Sequence, residues 1–97
     1  MKKVFLLKQE KRNRDRAVEA IKHEIRQYIK RERKKRLPEG ATVWQFDCLF
    51  GKDISSAATL AFNEITASIE KADSEGWDSF YIELLARATK PKTPKDL

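Results

Sequence analysis

A chain of 97 residues holds one domain with one core and needs neither disulfides nor a structural metal to close it. Its residues are 40% hydrophobic and 37% charged, ordinary for a soluble globular protein, but the net charge of +6 is unevenly spread: residues 1–36 carry 15 Lys/Arg against 5 Asp/Glu (net +10), and residues 37–97 carry 6 against 10 (net −4). That asymmetry points to an anionic partner or to a second copy docking head to tail, while the single cysteine, Cys48, excludes an internal disulfide and suits a reducing compartment.

Val4-Phe5-Leu6-Leu7, flanked by lysines, reads as a first strand. The run is too short for the apolar region of a signal peptide, and no stretch approaches the length of a membrane span, so a cytoplasmic location is expected. Asn13 is a good N-cap with Asp15 in the first turn behind it, and Val18, Ile21, Ile25, Tyr28 and Ile29 recur at three- and four-residue steps. The spacing predicts a helix over 14–36 with one buried stripe. Glu32 and Arg36 continue that stripe in phase, so the last turn and a half is expected to project beyond the core. Such a helix runs roughly 33 Å, against about 17–20 Å for a typical strand. The overhanging end is basic: six of the seven residues from Lys30 to Arg36 are Lys or Arg.

Leu37-Pro38-Glu39-Gly40 stops the helix. Val43 to Phe50 alternates strictly, with Trp44, Phe46, Cys48 and Phe50 on one face, and is the clearest strand. Gly51-Lys52-Asp53 is a turn. Residues 54–62 fit either a long helix opened at Ser55 or a third strand ending at Thr59-Leu60-Ala61-Phe62. The strand is preferred, because Asn63 then caps a helix whose Ile65, Ile69 and Ala72 share a face, with Gly76 ending it. Ser79 to Ala86 is the last strand, with Phe80, Ile82 and Leu84 inward. The order is β-α-β-β-α-β, an α+β, ferredoxin-like two-layer sandwich with an antiparallel sheet; β-α-β-α-β with a three-stranded sheet is the alternative. Residues 1–88 form the domain and 89–97 a disordered basic tail, in which Pro91-Lys92-Thr93-Pro94 only formally matches a P-x-x-P ligand.

Catalytic chemistry finds little support. His23 is the only histidine and lies off the buried stripe, so it is read as a surface residue; one His and one Cys fall short of the four ligands of a structural zinc site. Cys48 is read as a buried, inert thiol with Asp47 on the opposite face. Gly40, Gly51 and Gly76 sit in separate turns and form no phosphate-cradling loop, and the carboxylates show no acid/base pair. The open sheet face carries Gln45, Asp47, Tyr81 and Glu83. With only Tyr81, or Phe5, as a stacking platform and carboxylates beside it, sheet-face RNA recognition is rejected.

Lys-Arg-Glu-Arg-Lys-Lys (30–35), Leu-Pro-Glu-Gly (37–40), Trp-Gln-Phe-Asp-Cys-Leu-Phe-Gly (44–51) and Ser-Phe-Tyr-Ile-Glu-Leu-Leu-Ala (79–86) together resemble a small bacterial family of unknown function. The resemblance covers nearly all of the chain expected to be ordered and implies a bacterial, cytoplasmic, single-domain protein, without assigning an activity.

The first helix remains. Arg16, Lys30 and Lys34 point outward, Arg26 and Arg33 lie on one flank and Lys35 on the other; with Arg31 these are the candidate contacts for nucleic acid. The expectation is a small non-catalytic protein, without cofactor or membrane association, whose helix 14–36 binds the backbone of RNA in preference to DNA, with little sequence preference and steep salt sensitivity. Reversing Lys30, Arg33 and Lys34 to Glu is expected to abolish binding and leave the melting temperature nearly unchanged. The alternative is a protein-interaction module, monomer or weak homodimer, pairing the basic helix with an acidic surface of another protein or of a second copy.

Overall fold

Alternation in the first strand decides which side of the sheet the helices cover. The computed structural model describes residues 1–11 and 13–90. In β1 (Lys2–Leu6) Phe5 is buried while Val4 and Leu6 are 53% and 56% exposed, so one face packs and the other meets solvent. Then follow α1 (Arg14–Arg33), β2 (Val43–Gly51), β3 (Ala58–Leu60), a 3-10 turn (Phe62–Glu64), α2 (Ile65–Ser74) and β4 (Ser79–Thr89). The four strands form one antiparallel sheet in the order β1-β4-β2-β3, so each β-α-β unit is split by a strand from the other. This is a two-layer α+β sandwich with the element order expected from the sequence. Among the described residues, no helix is long and apolar enough to cross a membrane.

The core lies between the sheet and the helices. Val18, Ile21 and Ile25 of α1 and Ile65, Ile69 and Ala72 of α2 meet Phe5, Cys48, Phe80, Ile82 and Leu84 of the strands. Asn13 caps α1: its side-chain oxygen accepts a hydrogen bond from the Arg16 amide at 2.8 Å. Tyr28 donates its hydroxyl to the Leu84 carbonyl at 3.1 Å, fixing α1 against β4. Among the described residues, Lys22 is the one buried cation; its ammonium group reaches Glu70 on α2 at 2.7 Å, and this bond, before the opposing burial, raises its pKa.

The end of α2 is closed by residue chemistry. Gly76, at φ +77°, donates to the Asp73 carbonyl, and Trp77 donates to that of Ala72, the paired bonds of a Schellman cap. Arg14, at the start of α1, donates to the Asp73 carboxylate and to the Asp73 and Trp77 carbonyls, so it clamps this cap to the neighbouring helix.

Three expectations need correction. The helix does not overhang: α1 ends at Arg33 with Lys34 as its C-cap, and the Trp44 indole donates to the Lys35 carbonyl at 3.0 Å. The reason is strand length. β4 has 11 residues, roughly 36 Å at strand rise, and β2 has 9, so the sheet runs at least as far as the helix. Second, Asn63 is not a cap; it sits inside the 3-10 turn, and the chain enters α2 through Glu64 without a side-chain cap bond. Phe62 accordingly opens that turn instead of ending β3, which is only Ala58–Leu60. Third, Thr89 belongs to β4, paired with Val43, and not to the tail; residues 91–97, including the P-x-x-P match, lie outside the described residues.

The outer face of the sheet is not uniformly open. Gly51 pairs with Tyr81, so a side chain at 51 would point to the face Tyr81 occupies, yet the backbone of Ser56 and Ala57 lies within 2.7–2.9 Å of where its Cβ would be. The 52–57 loop thus folds over this end of the sheet, and Tyr81 is buried beside it.

Candidate functional site

Four of the seven cations proposed from sequence converge. Arg26, Lys30, Arg33 and Lys34 stand at i, i+4, i+7 and i+8 along α1 and its cap, one side of the helix. Together with Ile29 and Phe62 they line an open depression of about 450 Å³. Its floor is apolar and its rim cationic. A smaller depression, about 170 Å³, continues from it between α1 and α2; it shares Arg26, Ile29 and Phe62 and adds Asn63 and Thr66 on the opposite wall.

Arg33 is held by aromatic faces. Phe46 of β2 and Phe62 of the 3-10 turn stack with centroids 5.2 Å apart at 20°, and the guanidinium carbon lies 5.3 Å from the Phe62 centroid and 5.7 Å from that of Phe46. The ring quadrupoles favour the cation without consuming its hydrogen-bond donors. Among the described residues, no side-chain acceptor takes those donors, and Arg16, Arg26, Lys30, Arg31, Arg33 and Lys34 enter no ion pair.

The remaining three candidates stand apart. Lys35 pairs with Glu32, whose carboxyl is held below its usual range chiefly by that lysine. Arg31 lies roughly 140° around the helix from Arg26, and Arg16 about 15 Å along the axis from it. Sequence reasoning missed Ile29 as floor, Phe62 as wall and Asn63 and Thr66 as neighbours. In the sequence Ile29 reads as part of the core stripe and Phe62 as part of a strand; the signal for the site is the cationic spacing 26, 30, 33, 34.

Other candidates lie where the sequence placed them. Cys48 is buried, and desolvation, then Asp47, pushes its thiol pKa up. Asp47 faces the other way and pairs with Arg87 at 3.0 Å, which holds its carboxyl below the usual range. His23 is exposed on α1. The two residues weighed and rejected as stacking platforms differ from that pattern: Phe5 faces the core, and Tyr81, on the outer face, is buried with its hydroxyl donated to Glu83 at 2.7 Å. Among the described residues, no group of three or more His, Cys, Asp or Glu side chains comes together.

The chain belongs to a family of unknown function, DUF6172, whose model matches residues 1–94. No curated protein and no solved structure matches it.

Proposed function

We propose that this is a small, non-catalytic nucleic-acid-binding protein that grips a phosphate backbone along the C-terminal half of α1, RNA in preference to DNA. The observation that carries this reading is the convergence of Arg26, Lys30, Arg33 and Lys34 on one depression with no carboxylate paired to any of them among the described residues. Exposed cations left uncompensated attract anions, and release of counterions from the polyanion supplies the binding energy. Nothing in the cluster reads a base edge in a duplex, so sequence preference is small. The reading carries with it a bacterial, cytoplasmic setting.

Fluorescence anisotropy with a mixed-sequence RNA tests it. The wild type binds at low salt, and the triple variant R26E/K30E/K34E loses binding while keeping its melting temperature. Equal binding by the two proteins overturns the proposal. A dimer that dissociates with salt in nuclease-treated protein, together with no RNA binding, would point instead to the basic helix meeting an acidic protein surface.

A further inference from the structure

We infer that the depression beside Arg33 takes an unpaired nucleotide, its base laid against Phe62 and Ile29 and its flanking phosphates on Lys30, Lys34 and Arg26. This rests on the nucleic-acid reading above and narrows it from any backbone to a single strand.

Phosphate alone asks for cations; it does not ask for an apolar floor. Here the floor is apolar and the rim cationic, which is the polarity of a nucleotide turned inside out. The volume, about 450 Å³, lies within the range of small-ligand clefts, roughly 300–1,000 Å³. A duplex presents stacked bases edge-on and could touch only the rim. Single strands, in contrast, are held by aromatic faces that stack bases beside a cationic track for the backbone. Phe62 is only partly buried although it packs on the core, so part of its ring remains in the wall of the depression. Arg33 lies across Phe62 and Phe46, and among the described residues no side-chain acceptor takes its donors, so a base entering beside it meets a guanidinium able to bind a phosphate or a base edge. Where the groove continues between the helices, the exposed Asn63 and Thr66 offer an amide and a hydroxyl to the next nucleotide.

The test compares four probes of matched charge against the full chain at low salt: a ten-nucleotide single-stranded RNA, the same strand without bases, an RNA duplex and polyglutamate. The single strand is expected to bind at least about fivefold tighter than the abasic strand, since stacking on one aromatic face is worth that much. Phe62→Leu, which keeps the apolar packing and removes the π face, is expected to shrink that difference. Equal affinity for RNA and abasic strands, or a duplex bound as tightly as the single strand, overturns the single-strand inference and leaves backbone binding standing. Polyglutamate bound as well as RNA overturns it in favour of an acidic protein partner. Binding of none of the four overturns the broader reading too.

Discussion

Phe80 sits at the centre of the aromatic core, fully buried, with Phe50 at 4.9 Å and Phe5 at 5.6 Å between ring centroids. Truncating it leaves a cavity that the two flanking rings cannot fill, and Phe80→Ala is expected to lower unfolding stability by about 3–5 kcal/mol in urea titration. Arg33 is the opposite kind of residue, exposed yet not free. Its guanidinium rests on two rings, an interaction worth about 0.5–1 kcal/mol at such sites, so reversing it to Glu costs stability as well as charge. The expectation that a Lys30/Arg33/Lys34 reversal leaves the melting temperature untouched therefore needs Arg26 in place of Arg33. Sequence could not reveal this, because the contact joins residue 33 to residues 46 and 62 through the tertiary fold.

Element by element, legibility followed periodicity. The stripe Val18, Ile21 and Ile25 and the inward set Phe80, Ile82 and Leu84 are buried where their spacing placed them, and Asn13 caps α1. Periodicity says nothing about how far a strand runs beyond its last apolar residue. Arg87 and Thr89 extend β4 as backbone partners of Gln45 and Val43, and that extension removed the expected overhang of α1. Nor does it give loop paths. Gly51 reads as turn punctuation, yet its lack of a side chain is what lets the 52–57 loop close over the sheet. A Cβ there meets backbone that cannot swing aside, so Gly51→Ala is expected to cost roughly 1–3 kcal/mol and to raise the exposure of Tyr81, measurable by its fluorescence quenching.

For the molecule as a whole, acid sensitivity follows from its paired carboxylates. Lys35 draws down Glu32, Arg87 draws down Asp47, and bonds from Ser55 and Ser56 draw down Asp53. Each folded pKa lies below its unfolded value, so the stabilisation is present above the unfolded pKa, about 4, and is lost as pH falls through the folded values. Melting temperature should therefore fall as pH drops below about 4. The charge asymmetry, visible in composition, has a structural counterpart: among the described residues the ion pairs engage Lys3, Arg14, Lys22, Lys35 and Arg87, while the cations of the α1 flank stay unpaired. Which of those cations share a site was only half legible, since helical phase grouped Arg26 with Arg33 but could not bring Phe62 to meet them.

The dissociation constant for single-stranded RNA, followed from 50 to 200 mM salt, bears most directly on this account. Four cations engaging four phosphates give a slope near 0.7 per phosphate, a weakening of roughly 50-fold over that range. An affinity that stays constant across it would mean that the α1 cations grip no phosphate.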